Sequence, residues 1–233
     1  MNSSQIPIGV KPMIERSWIE IDSKYIKKYY VQFLKHTKKS NALAVIFPGG
    51  DNSTDIPTLH YARKAALLKG CDILNLQYGV HKCEVDINDK ELYKALVEEC
   101  FLAINKVNHS DYEIIFFISK SFGNSIALDV DKEYLNSKVV HIFYTPLSQM
   151  VDQIKKSTCL ILTGTKDKYF DSESIEKLVD CTNVEVHQFE NAVHSLEVND
   201  DVWESIKILE RATKVCSEYI EAHLVYGEEV QQS

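Results

Sequence analysis

The chain alternates short apolar runs with longer segments whose apolar residues recur every three or four positions. The apolar runs are residues 42–47 (ALAVIF), 71–76 (CDILNL), 113–118 (EIIFFI), 138–144 (KVVHIFY), 158–163 (TCLILT) and 184–189 (VEVHQF). Their length and content are typical of buried strands. The periodic segments predict helices over residues 58–69, 89–107, 146–156, 173–181 and 201–223, and another from Asn124. Apolar strands separated by helices predict an α/β fold, a mostly parallel sheet with helices on both faces.

The first forty residues fit two patterns. The aromatic and aliphatic positions between residues 25 and 34 match the period of a helix, while residues 29–34 also alternate as in a strand. We favour a hairpin of residues 18–21 with residues 29–33 at the edge of the sheet, because alternation is typical of a half-buried strand.

The composition indicates one soluble globular domain over residues 1–233. No repeat, low-complexity segment or Pro/Gly/Ser-rich linker divides the chain, and 45% of its residues are hydrophobic and 26% charged. No apolar run approaches the roughly 18 residues that span a bilayer, so no membrane partner is expected.

Charge and cysteine usage limit the partners and the compartment. The chain carries 26 Lys+Arg against 34 Asp+Glu, a net charge of −8, which disfavours a nucleic-acid partner. The basic stretch at residues 24–39 is interpreted as a solvated face. The six cysteines show neither a CxxC pair nor metal-ligand spacing, and the N-terminus MNSSQIPIGV lacks the features of a signal peptide. A reduced, cytoplasmic protein without a metal site is therefore expected.

One strand end carries a candidate nucleophile. In an open α/β sheet, ligands bind outside the carboxyl ends of the strands. The segment Ser119-Lys120-Ser121-Phe122-Gly123 follows the run EIIFFI directly and leads into a helix. A serine with small residues two positions away on each side, at a strand-to-helix turn, is typical of a nucleophile elbow. The alternative is a serine that merely caps the helix.

Two further strand ends supply a carboxylate and a histidine. Asp167 follows the run TCLILT, and Asp171 lies four residues further on as a second candidate. His194 lies in the loop after VEVHQF. Each residue alone has an ordinary interpretation as a turn or loop residue. The chain order serine, acid, histidine, each at a strand end, predicts a Ser121–His194–Asp167 triad.

The loop after the first buried strand, PGGDNS, completes the predicted site. We assign the oxyanion hole to the backbone amides of Gly50 and Phe122. In folds with a nucleophile elbow, a loop that follows an earlier strand supplies one donor and the residue after the nucleophile supplies the other. Lys120 is interpreted as a solvated or structural lysine; selectivity for anionic substrates is the alternative. The candidate substrate-binding side chains are Asp51, Tyr78, Phe122, Tyr144, Tyr169 and Phe170.

From residue 42 onward the sequence resembles small α/β-hydrolases, near the minimal carboxylesterase-like and dienelactone-hydrolase-like members. The resemblance lies in VIFPGGDNS, FISKSFGNS, ILTGTKDKYFD and NAVHSLE. It implies that Ser121 is the nucleophile, His194 the base and Asp167 the acid. Ser119 replaces a more common glycine and Pro48 a common histidine, and neither change removes a reacting group. Dienelactone hydrolases use cysteine as nucleophile, which argues against that activity here.

The resemblance implies hydrolysis of a small carboxyl ester or thioester through an acyl-enzyme, with no cofactor. Only about a dozen residues separate the runs KVVHIFY and TCLILT, where many lipases insert a helical cap, so no cap domain and an open cleft are expected. A peptidase or amidase with the same triad, and a non-catalytic binding module, remain as alternatives.

Overall fold

The computed structural model describes residues 13–79, 89–135 and 139–230, the last six of them for the backbone alone. Cys83 and the N-terminal segment MNSSQIPIGV, examined above for signal-peptide features, lie outside these ranges. The strands are β1 (Ile14–Ser23), β2 (Lys27–His36), β3 (Ala42–Phe47), β4 (Asp72–Asn75), β5 (Ile114–Lys120), β6 (Val139–Tyr144), β7 (Cys159–Gly164) and β8 (Val184–Phe189). They form a single sheet in the order β1-β2-β4-β3-β5-β6-β7-β8.

The sheet is parallel from β4 through β8, as predicted. Strands β3, β5, β6 and β7 lie between parallel neighbours and are fully or almost fully buried. Continuous burial explains why these segments are apolar at nearly every position instead of alternating.

The favoured hairpin is confirmed and is longer than predicted. β1 and β2 pair antiparallel over their full lengths, with Ile21 opposite Tyr29, and β2 joins the sheet antiparallel to β4. Ile21, Tyr29 and Val31 are buried, while Trp18 and Tyr30 are exposed. One face of the hairpin packs on the core and the other meets solvent, which is the origin of the alternating pattern.

Helices cover both faces of the sheet. They are α1 (Pro57–Leu68), α2 (Lys90–Lys106), α3 (Phe122–Val130), α4 (Val151–Ile154), α5 (Ser172–Glu176) and α6 (Val202–Val230). The apolar stripes of α1 and α6 pack on one face, and those of α2 and α3 on the other. α4 and α5 are both shorter than the predicted helices. In the segment of α4, residues 148–150 form a 3₁₀ turn instead of α-helix, a common form for segments of a single turn.

The connection between β6 and β7 is residues 145–158, which hold only the 3₁₀ turn and α4. It contains no cap domain, in agreement with the predicted fold class. Among the helices described, none combines the length and the apolarity needed to cross a membrane.

Candidate active site

Ser121 occupies the sharp turn between β5 and α3. Its backbone has φ 51° and ψ −119°, a conformation that a non-glycine residue rarely adopts. The Ser121 amide donates to the Tyr144 carbonyl at 3.0 Å, which holds the turn against the end of β6. Ser121 precedes the helix, yet its side chain makes no capping hydrogen bond. The interpretation as a helix cap is therefore wrong.

The imidazole of His194 lies between Ser121 and Asp167. Its Nε2 is 2.8 Å from the Ser121 Oγ, and its Nδ1 is 3.0 Å from both carboxylate oxygens of Asp167. Because an ionised carboxylate only accepts hydrogen bonds, Nδ1 carries the proton and Nε2 is left to accept from the serine hydroxyl. This tautomer is the one that a general base requires.

Asp167 and Asp171 have different surroundings. The Asp167 side chain is fully buried and also accepts from the backbone amide of Tyr169 at 2.9 Å. Asp171 caps α5, where it accepts from the amide and the hydroxyl of Ser174 at 2.9 and 2.7 Å. These hydrogen bonds lower the pKa of Asp171 below its ordinary value. The structure thus brings Asp167, and not Asp171, to the histidine.

The loop after β3 passes beside the serine. A Cβ placed on Gly49 would lie 3.8 Å from the Cβ of Ser121, and Gly50 follows as an exposed residue. Phe122 is the first residue of α3, so its amide is one of those that a helix leaves without an intrahelical partner. Both amides assigned to the oxyanion hole therefore belong to segments that border Ser121.

Asn52, which the sequence analysis did not single out, braces this loop. Its Nδ2 donates to the Tyr78 carbonyl at 3.0 Å, and its Oδ1 accepts from the Tyr78 amide at 2.6 Å. The Tyr78 hydroxyl donates to the carbonyl of Pro48 at 2.7 Å. The Tyr78 side chain, which was predicted to bind substrate, therefore holds the loop after β3 in place.

Of the other five predicted substrate-binding side chains, Phe122 is partly buried and its ring packs edge-on against Tyr78 and Tyr93. The remaining four divide into two groups. Asp51 is exposed near the serine, and the 61% exposed ring of Tyr169 packs edge-on against His194, with centroids 4.7 Å apart. Tyr144 and Phe170 are each only 1% exposed and belong to the core. For these two the prediction is wrong, because their side chains project into the packed layers instead of the cleft.

A cavity of about 310 Å³ is lined by chain neighbours of the predicted site residues, though not by Ser121, Asp167 or His194 themselves. Its lining includes Asp51, Lys120 and Ser195, the chain neighbours of Gly50, Ser121 and His194. The apolar part of the wall comes from Ile56, Pro57, Leu196, Val202, Ile206 and Leu209. A larger groove of about 640 Å³ runs between α1 and α6 and is lined by none of these residues.

Gly164, the last residue of β7, lets the histidine loop approach the sheet. A Cβ there would overlap with the backbone carbonyl of Ala192, and the Lys166 amide donates to that carbonyl at 2.9 Å. Because the obstacle is backbone, no rotamer change relieves the overlap. The loop that carries His194 can therefore lie against the strand only if residue 164 has no side chain.

We expect Gly164→Ala to lower the free energy of unfolding by about 1–3 kcal/mol, the usual cost of overpacking a close contact. Denaturant unfolding of the purified variant measures this. Gly50→Ala is the matched control for stability, because a Cβ at Gly50 would meet nothing within 4 Å. Equal stability of the Gly164 variant and the wild type would show that the close contact does not constrain the loop.

Solved structures resemble this chain over most of its length. A protein of unknown function from Agrobacterium tumefaciens, provisionally assigned to the α/β hydrolases, is 14% identical with a TM-score of 0.68, over 89% of this chain and 96% of that one. XC6422 from Xanthomonas campestris, a serine hydrolase without a lid, is 12% identical with a TM-score of 0.61, over 91% and 97%. The esterase Pf2001 from Pyrococcus furiosus is 12% identical with a TM-score of 0.61, over 86% and 93%.

The chain has the α/β-hydrolase fold. No protein-family model and no curated protein matches the sequence, so the likeness lies in the structure. The structural likeness confirms the resemblance to small α/β-hydrolases at the level of the fold. Within the described parts of the chain, no three His, Cys, Asp or Glu side chains are grouped to hold a metal ion.

Proposed function

We propose that the protein is a serine hydrolase that cleaves a small carboxyl ester or thioester. One observation carries the proposal: the His194 imidazole contacts the Ser121 hydroxyl with Nε2 and the Asp167 carboxylate with Nδ1. A buried carboxylate, an oriented imidazole and a hydroxyl free of any capping role form the set that activates a serine for attack. Solved structures of the same fold include proteins named as a serine hydrolase and an esterase, which supports this reaction class.

In the first step, His194 takes the proton of Ser121 as the oxygen attacks the substrate carbonyl. Asp167 stabilises the resulting imidazolium and keeps the ring in its orientation. The amides of Gly50 and Phe122 receive the oxyanion of the tetrahedral intermediate. Donors of this kind contribute about 3 kcal/mol each to transition-state stabilisation.

The second half of the reaction repeats these roles with water. His194 gives its proton to the leaving alcohol or thiol, and the acyl group stays on Ser121. The imidazole then activates a water molecule that attacks the acyl-enzyme and restores the serine. Since His194 is about one-quarter exposed, water reaches the ring from the solvent side.

The surroundings of the serine favour a small substrate. The cavity of about 310 Å³ is at the lower end of the range for ligand sites, and the short β6–β7 connection supplies no apolar cover for a long chain. The apolar wall formed by residues such as Leu196 and Ile206 suits a short alkyl group.

We expect acetyl to butyryl p-nitrophenyl esters to be hydrolysed faster than long-chain ones. The kcat/KM values across a series of graded acyl length measure this preference, and a fluorophosphonate probe reports the activated serine separately. A maximum at palmitoyl would contradict the small cleft. Faster cleavage of the matched p-nitroanilide would identify an amidase or peptidase, and absence of both turnover and labelling would identify a binding module.

A further inference from the structure

Lys120 connects the strand of the nucleophile to the loop of the base. It is the last residue of β5, directly before Ser121. Its Nζ donates to the Oγ1 of Thr145 at 2.8 Å and to the backbone carbonyl of His194 at 2.9 Å. The side chain therefore passes the end of β6 and reaches the loop after β8, so of the two interpretations given above, solvated or structural, these contacts agree with the structural one.

The loop held by Lys120 has an unfavourable backbone. Asn191 and Leu196, on either side of His194, have φ values of 60° and 66°. A branched residue such as leucine is seldom stable in the left-handed region without support from its surroundings. Hydrogen bonds give that support at both ends, from the Asn191 amide to Thr165 Oγ1 and from the Val193 amide to the Glu197 carbonyl. The contact from Lys120 holds the middle of the loop, at the residue that carries the imidazole.

Charge strengthens this contact. Burial lowers the pKa of Lys120 to about 8, while the carboxylates of Asp167, Asp51 and Glu197 act in the opposite direction. The side chain is therefore mainly an ammonium at neutral pH, and its hydrogen bond to the His194 carbonyl is charge-assisted and correspondingly strong. The same carboxylates surround the ammonium with negative charge, which disfavours a substrate carboxylate there.

We propose that Lys120 is a positioning residue: by bridging Thr145 and the His194 carbonyl, it sets the distance between the Ser121 hydroxyl and the His194 imidazole. The inference rests on the proposed serine hydrolase function. It predicts that loss of the ammonium lowers the rate of the chemical step, because proton transfer depends steeply on the position of the base. Binding of a neutral ester should be unaffected.

The test compares Lys120→Met, which keeps an unbranched stem without a donor, with Lys64→Met, an exposed lysine on α1. Two esters separate the roles: neutral p-nitrophenyl acetate and an anionic p-nitrophenyl hemisuccinate. We expect Lys120→Met to lose up to about 10²-fold in kcat on both esters, with KM unchanged, and Lys64→Met to behave as wild type. Thr145→Val, a nearly isosteric change that removes one acceptor, should lose less in the same direction.

A measurement without substrate keeps this inference separate from the proposed function. The downfield proton NMR signal of the His194 Nδ1–H, identified by its loss in His194→Ala, should shift or broaden in Lys120→Met but not in Lys64→Met. If Lys120→Met fails to fold, Thr145→Val carries both measurements. An unchanged kcat and NMR signal would overturn the inference, and so would a rise in KM confined to the hemisuccinate, which would make Lys120 an anion-binding residue.

Discussion

Ser121→Ala is expected to abolish ester hydrolysis and fluorophosphonate labelling while the protein still folds. The proposed mechanism has no other nucleophile, and removal of a triad serine costs about 10⁴-fold or more in kcat. The fold should persist because the Ser121 hydroxyl caps no helix and contacts only the imidazole of His194 among the described hydrogen bonds. Alanine meets the same backbone strain at φ 51° as serine does.

The measurements are kcat/KM on a short ester, intact-mass detection of the fluorophosphonate adduct, and the thermal midpoint. Ser125→Ala, the same substitution four residues along the chain on α3, is the matched control and should retain activity and labelling. Ser119 lies two residues before Ser121, and Ser195 directly follows His194. Labelling that persists on either of them in the Ser121 variant would overturn the assignment of the nucleophile.

Asp167→Asn is expected to lower kcat by about 10⁴-fold with little change in KM, the cost of the equivalent change in a serine protease. The His194 Nδ1 lies 3.0 Å from both Asp167 oxygens, so either oxygen can accept the hydrogen bond from Nδ1–H. An amide in its place offers a donor on one side, which favours the tautomer with the proton on Nε2. That tautomer cannot accept the proton of Ser121.

Asp171→Asn is the matched control, the same change on the same loop. Asp171 caps α5 through Ser174, and asparagine is an equally good helix cap, so stability and turnover should stay near those of the wild type. The two variants are compared by kcat, KM and thermal midpoint. An inactive Asp171 variant beside an active Asp167 variant would show that the acid is assigned to the wrong carboxylate.

The order of the elements follows from the sequence because burial on both faces leaves a local signal. Strands such as β3 and β7 are apolar at nearly every position, and the long helices α1, α2 and α6 show an apolar stripe. The candidate nucleophile, acid and base could be predicted for a related reason. In a parallel sheet the residues after successive strands meet at one edge, so chain order alone places them near each other.

The errors arise where the sequence does not indicate which way a side chain points. Tyr144 is one of the predicted substrate-binding residues and ends β6, yet its side chain shares the buried face of Val140 and Ile142. Alternation along a strand assigns these residues to one face, but which face meets the cleft depends on how the helices pack. The same uncertainty concerns Phe170, which packs against the core from a loop.

The pattern of residues along the chain is enough to predict the parallel α/β architecture, the strand ends that carry Ser121, Asp167 and His194, and the short connection without a cap between β6 and β7. The folded structure was needed to show that Asp167 and not Asp171 meets the imidazole, that Gly164 must lack a side chain, and that Lys120 reaches the His194 carbonyl. These contacts join residues far apart in the chain through distances of about 3 Å. Local patterns report burial and period, whereas such contacts depend on how the loops close over the edge of the sheet.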